Sequence, residues 1–477
     1  MILIYLGTAS TISGLFFFNR NKKLHIPLII LYILLQWTFT VYNYFHLHQT
    51  DFKYFTIDAL GILLLATLSI ISIPAMIHSY IYLAKRKDSP KIQSIYYAAF
   101  SLLITSIGAA YLANHIAVMW IFAEITTLSA SALIYHHRTE RSLEATWKYV
   151  FICSISITFV FIGILFLSLS LQQTGGTSEG LTYANLLKNA AALNSFWLKL
   201  AFLFIFTGFT VKTGLVPMYT AGVDAKDKAP APAGAIFSGA LMNMGFVGIF
   251  RTYIITAHTS IHAWANMILL ISGILSVFVA AVYMTRIKNI KRMFAYSSIE
   301  HMGLVSLALA AGGIGYYAAV LHIILHAFVK SGLFFQFSQI FRVFKSKSIY
   351  SVGNYFKYNK TGALILLLGF VSAAAIPPSG LFVSEFLIFQ ALFYSHYIVI
   401  MILVMLLLTI IIWGFGKNLL KLLFSPLTNF DESQVEKIRP SESYSQLILL
   451  LGAIYLAYNP PAEFVGLIKE SIVNLAM

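Results

Sequence analysis

The sequence predicts an all-α integral membrane protein of about 14 transmembrane helices, carrying two inverted five-helix repeats with helices 7 and 12 discontinuous. Three observations carry this expectation. Of the 477 residues, 59% are hydrophobic and only 10% are charged, whereas a soluble protein carries about 25% charged residues. Apolar runs recur at the spacing of one helix plus a loop, about 30–35 residues, which divides the chain into roughly fourteen spans. Proline and glycine interrupt two of those runs, five spans apart.

In chain order the spans read as 2–18, 26–48, 56–84, 92–112, 114–135, 149–171, 196–219, 232–257, 262–285, 294–313, 315–341, 362–394, 396–416 and 444–459. The first stretch, Ile2–Phe18, lacks the basic start of a secretory signal and reads as a span followed by Arg20, Lys22 and Lys23. Loops after odd-numbered spans hold nearly all of the 32 lysines and arginines. Lys212 and Lys330 fall within spans, and only Lys53, Lys188, Lys199, Arg251 and Lys469 are left for the opposite side. Positively charged loops stay in the cytoplasm, so both termini are expected on the outer side of the cell inner (plasma) membrane. The net charge of +15 is then a topology signal and not a mark of a nucleic-acid partner. The single cysteine, Cys153, excludes a disulfide within the chain and an iron–sulfur cluster held by its own cysteines.

The seventh span carries Gly208, Gly214 and Pro217; the twelfth carries Pro377, Pro378 and Gly380 between apolar halves Thr361–Ile376 and Leu381–Tyr394. Proline removes a helical donor and clashes with the preceding turn, so both spans should break. Residues 1–91 then form three N-terminal helices, 92–257 a first repeat (helices 4–8) and 262–416 a second (helices 9–13). An odd number of spans per unit inverts the second unit. Residues 417–477 add a cytoplasmic loop, helix 14 and a tail. The outward loop Gln172–Ser195 starts Gly-rich and contains a candidate short helix, Leu181–Ala192. The inward loop Ser425–Ser443 mixes charges and is expected to contact the cytoplasmic surface or a partner, and Phe464–Ala476 forms an amphipathic tail.

Charges inside these spans are the functional signal. A charged side chain at bilayer depth costs roughly 2.5–3.5 kcal/mol on insertion scales, so it implies a pathway or a partner. Glu124, Lys212, His322, His326, Lys330 and Glu385 all interrupt apolar segments and together read as a route for protons. A Glu124–Lys212 pair that separates would be a proton switch, since each group stabilises the charge of the other; a static pair fixing helix packing is the alternative. His322, His326 and Lys330 stand at i, i+4 and i+8, on nearly one helical face suited to relay. Two histidines at i, i+4 also suit a metal, but no nearby carboxylate or cysteine completes a site. Glu385 follows the second break, as a relay group or a helix cap, and Glu300–His301 is a weaker candidate on the same axis. His25, His46, His48, His78, His115, His136, His137, His258, His262 and His396 lie near span ends and read as solvated. No phosphate loop, zinc spacing or nucleophile elbow is found, so no cofactor or catalytic residue is expected.

Gly208-Phe-Thr-Val-Lys212-Thr-Gly-Leu-Val-Pro217, followed by Asp224 and Ala229-Pro-Ala-Pro232, resembles the seventh span of the antiporter-like subunits of respiratory complex I and Mrp antiporters. The segments Lys291–Gly303 and His322-x-x-x-His326-Ala-x-x-Lys330 are similar to the same family. Pro377–Phe386 looks most like the hydrogenase-4 and formate hydrogenlyase branch of it, in the membrane component F. The resemblance covers roughly residues 56–416. It implies that Glu124 and Lys212 serve a first half-channel, His322, His326 and Lys330 a central relay, and Glu385 proton exit. Asn243, Glu300, His301 and Asp224 join as further relay candidates. The eighth-span lysine of the complex I subunits is Asn243 here, and the family segment His-x-Trp-Leu-Pro-Asp-Ala-His reads Tyr219-Thr-Ala-Gly-Val-Asp-Ala-Lys226. An amide cannot store a proton, so the link between halves is expected to rely on water.

The implied function is a proton-translocating, energy-coupling membrane subunit whose partners are other membrane and soluble subunits, the bilayer and protons. A driving redox reaction would sit in a partner. The alternatives are an Mrp-type cation/proton antiporter module, with sodium as a further ion, a coupling module in inorganic-carbon uptake with a soluble metalloenzyme partner, and a structural subunit that anchors a complex without pumping.

Overall fold

The computed structural model describes residues 1–172, 180–427 and 430–475. The Gly-rich start of the loop after Gln172 and the last residue of the expected tail segment lie outside these. The chain opens with α1 (Ile2–Phe18), α2 (His25–Tyr44), α3 (Ala59–Ala84) and α4 (Pro90–Leu112). A small antiparallel hairpin, Thr50–Asp51 against Phe55–Thr56, joins α2 to α3. Next come α5 (Ile116–Ile134), α6 (Glu140–Gln172), the short α7 (Tyr183–Lys188), α8 (Ser195–Thr213), α9 (Thr220–Lys228), α10 (Ala231–Ile236) and α11 (Met242–Ala257). The chain continues with α12 (His262–Thr285), α13 (Ile290–Ala311), α14 (Ile314–Phe344), the single turn α15 (Tyr355–Tyr358), α16 (Lys360–Ala373), α17 (Gly380–Tyr394) and α18 (Ile398–Phe424). It closes with α19 (Tyr444–Tyr458) and α20 (Ala462–Ser471).

Among the described residues, ten helical segments are long and apolar enough to cross a membrane, or eleven if α19 and α20, bent by 75°, count together. The apolar α1, α16 and α17 are shorter. Burial ranks the spans. The apolar windows of Ala231–Ala257 and of α14 are wholly buried by the rest of the chain, whereas those of α2 and α18 are only one-third buried. Helices shielded from lipid can hold ionisable groups among polar neighbours, and α14 is the helix carrying His322, His326 and Lys330.

Both expected breaks are present, and each has its backbone satisfied by a neighbour. Gly214 ends α8 at φ +79°, a conformation that requires no Cβ, and its N–H donates to Thr210 C=O at 2.8 Å. Past the break, Val216 N–H donates to Ser276 Oγ at 3.0 Å and Ser272 Oγ donates to Val216 C=O at 2.6 Å. Two α12 serines thus replace the missing helical bonds, as an apolar surrounding demands. The second break runs from Ala373 to Gly380, so the first half-helix stops three residues earlier than expected; Ser379 Oγ accepts from Phe382 N–H and caps α17.

An interruption that the sequence does not signal lies between α10 and α11, where Phe237–Leu241 is a π-helical turn. The extra residue widens the turn, and Tyr111 OH donates to Ala240 C=O at 2.7 Å. The expected helix Leu181–Ala192 is in fact α7 plus a 3-10 turn, Ala190–Ala192. The acidic residues of the Ser425–Ser443 loop bind the chain itself: Glu436 accepts from Lys85 and Arg342, at 3.0 and 2.8 Å, and Glu442 pairs with Arg342. Three histidines that read as solvated are buried. His78 stacks on Phe335 and bonds Ser445, His136 lies 3.3 Å from Asp88, and His25 packs against Tyr97.

Candidate functional site

Lys212 occupies the last turn of α8 and is 3% exposed. Its ammonium donates to Thr127 Oγ1 at 2.8 Å and to Tyr149 OH at 3.3 Å. Glu124 forms no ion pair with it; Glu124 Oε2 is buried with no hydrogen-bond partner among the described residues. The expected contact pair is therefore replaced. Thr127 stands one turn beyond Glu124 on the same helix face and takes the lysine, so hydroxyls rather than a carboxylate hold the charge.

A small cavity of about 20 Å³, room for about one water, separates Lys212 from Lys226. Tyr149, Tyr219 and Met242 line it with the two lysines. By sequence position Lys226 is a loop residue, yet it is 4% exposed and its ammonium lies 3.0 Å from Met242 Sδ. It is close enough to Lys330 for the two positive charges to repel each other, and its field reaches His326. One signal for it is available: Lys226 closes the segment that departs from the family pattern, two turns past the Pro217 break. Asn243 is also fully buried, but it makes only one marginal contact, Nδ2 to Ile323 C=O at 3.5 Å, and its Oδ1 has no partner among the described residues. Asp224 joins none of these groups. It is half-buried and salt-bridged to Arg292 at 2.9 Å.

In the second half, His301 is the hub. Its Nε2 lies 3.1 Å from Ala373 C=O, a carbonyl left free where α16 stops. A carbonyl only accepts, so Nε2 carries a proton and Nδ1 is the exchanging nitrogen. That Nδ1 faces His322 Nε2 at 3.2 Å and Glu385 Oε1 at 3.5 Å. His322 Nδ1 meets Ser384 Oγ at 2.9 Å, on the helix that carries Glu385. His326 stands edge-on to His301, centroids 5.2 Å apart, with neither ring nitrogen bonded among the described residues. Lys330 donates to Ser297 Oγ at 2.6 Å, one turn from Glu300 and His301 on α13; Glu300 Oε2 has no partner among the described residues.

The geometry thus promotes His301 from a secondary candidate and brings the Glu385 carboxylate to the histidines, which spacing alone does not. His301, His322 and Glu385 offer three ligand atoms within 4.8 Å of one another, a composition that suits a metal. The facing nitrogens of His301 and His322 are already bonded to each other, so a shared proton accounts for the arrangement without an ion.

Residues 113–411 match the profile of the NADH:quinone oxidoreductase/Mrp antiporter transmembrane family. The chain belongs to that family. It is 32% identical over 349 residues to a hydrogenase-4 component F homolog of Methylacidiphilum infernorum, covering 72% of this chain and 73% of that one. It is 23% identical over 407 residues to NADH-quinone oxidoreductase subunit M of Rickettsia prowazekii, covering 81% and 80%. In fold it is similar to a chain of the Mrp complex from Dietzia sp. DQ12-45-1b, with a TM-score of 0.86, 15% identity and coverage of 100% and 97%. A chain of the archaeal membrane-bound sulfane sulfur reductase gives 0.85, 21% identity and coverage of 100% and 96%. The chain is an antiporter-like, multi-pass membrane subunit of the kind found in hydrogenase, complex I and Mrp assemblies.

Proposed function

We propose that this chain moves protons as the energy-coupling membrane subunit of a larger complex, through a buried row of groups that runs from Lys212 to Glu385. The observation that carries this reading is the pair of linked clusters. Lys212 and Lys226 share one water-sized cavity, and Glu385, His301 and His322 share one exchangeable nitrogen. A proton leaving Lys212 crosses the water site to Lys226, continues to Lys330 and His326, and passes through His322 and His301 Nδ1 to Glu385. Glu124 sets the charge state of Lys212 when the two approach; their separation here is the open position of the switch. Glu300 backs Lys330, and Asn243 is a packing residue beside the route.

On this reading α1, α13, the broken pair α16–α17 and α19 also serve as spans, giving about 14 with residues 92–257 and 262–416 as inverted repeats. The basic loops face the cytoplasm and both termini face outward from the inner membrane. The driving reaction belongs to partner subunits. The test is acidification of inside-out vesicles in sodium-free buffer: Lys212→Ala should assemble but lose coupled proton movement. A strict sodium requirement would instead identify a cation/proton antiporter module.

A further inference from the structure

Away from this row, on the face bearing the basic loops, lies a second cavity of about 520 Å³. Pockets that hold small ligands run about 300–1,000 Å³. Eight lysines and arginines line it against two carboxylates. Lys85 and Arg86 come from the end of α3, Arg342 and Lys345 from the end of α14, Lys228 from the last turn of α9 and Lys347 from the loop after α14. Arg141, at the start of α6, and Lys291, at the start of α13, complete the cationic lining.

Both carboxylates are already shared. Asp227 takes Lys228 and Lys347, each at 2.8 Å, and Glu436 takes Lys85 and Arg342. Lys291 is 4% exposed; its acceptors among the described residues are the carbonyl oxygens of Asp227 and Ala229, and its ammonium lies 5.1 Å above the Phe337 ring. A fully enclosed ammonium that faces a cavity and bonds only neutral oxygens leaves charge uncompensated there. Tyr82, Phe337 and Phe341 supply an apolar side, and Phe341 is 42% exposed.

We infer that this cavity binds a phosphate-bearing anion, with the phosphate among the lysines and arginines and any attached chain along Phe341 and Tyr82. Guanidinium and ammonium donors converging from several helices match the many acceptor oxygens of a phosphate. Basic pockets between membrane helices on the cytoplasmic side suit anionic lipid headgroups, and free phosphate offers the same chemistry. An acidic peptide of a partner is the competing occupant, and the test below separates it.

The test uses the protein purified with its co-purifying subunits, delipidated in neutral detergent and followed by native mass spectrometry and thermal unfolding. Phosphatidylglycerol should bind and stabilise the wild type where phosphatidylcholine does not. Arg141→Gln/Lys228→Gln/Lys345→Gln should weaken that binding roughly a hundredfold, at the worth of a lysine or arginine near an anionic surface. Lys345→Glu, which replaces a half-exposed cation 3.7 Å from Glu436 with an anion, should weaken it on its own. Inorganic phosphate that stabilises the wild type and not the variants, without any lipid effect, assigns the site to the soluble source. Variants that bind phosphatidylglycerol like the wild type overturn the inference, as does stabilisation by a polyglutamate peptide alone.

Discussion

His301 Nδ1 lies 3.2 Å from His322 Nε2 while its other nitrogen is held by Ala373 C=O, the last carbonyl of a broken helix. The break therefore orients the imidazole as well as interrupting the span. It fixes the tautomer and leaves one nitrogen to exchange a proton with either His322 or Glu385.

Replacing His301 by glutamine tests that role. Glutamine keeps a donor for Ala373 C=O but cannot be protonated at the facing position. Proton movement in vesicles should fall by about 100-fold or more, the usual contribution of a positioned acid–base group. Expression and thermal unfolding should stay near wild type.

Close packing should be felt at Lys212. A Cβ at Gly245 would come within 2.6 Å of Thr213 N and 2.8 Å of Lys212 Cβ, so α11 fits against the end of α8 only without a side chain. Gly245→Ala should cost about 1–3 kcal/mol through overpacking. Thermal unfolding in detergent measures it, and transport should decline in step as Lys212 shifts from Thr127.

Asp227 sets an acid limit on stability. Burial alone would raise its pKa, but Lys347 and Lys228 outweigh that and hold it well below the usual carboxylate range. A depressed pKa adds stability that is complete above the unfolded value, about 4, and is lost as the pH falls through the folded value. Asp227→Asn should cost about 1–3 kcal/mol at neutral pH, because it removes the charged acceptor of two partly exposed lysines, Lys228 and Lys347. The gap in unfolding temperature between variant and wild type should hold at neutral pH and narrow below about pH 4.

Much of this molecule is legible in its sequence, for definite reasons. Charges in apolar runs are so unfavourable that Lys212, His322, His326, Lys330 and Glu385 stand out, and all five are buried. The breaks at Gly214–Pro217 and Pro377–Gly380 follow from proline chemistry. Contacts across helices cannot be read in the same way. Thr127 displaces Glu124 from Lys212 because threonine lies closer to the ammonium, and spacing along α5 does not show which group wins. Lys226 looks like one more loop cation, since position relative to a break does not say which way the next helix turns. The π-helical turn at Phe237–Leu241 contains Ser238-Gly239, but the same pair sits in regular helix at Ser272-Gly273 and Ser331-Gly332, so sequence does not mark it.

On the proposed route the two halves are joined through Lys226 and not through Asn243. Proton transport by the intact complex in sealed vesicles, compared for Lys226→Ala and Asn243→Ala, separates the two residues. The route described here predicts that Lys226→Ala stops transport while the complex still assembles, and that Asn243→Ala leaves it within about twofold, as expected of a packing residue. Full transport by Lys226→Ala, with loss in Asn243→Ala, would contradict it.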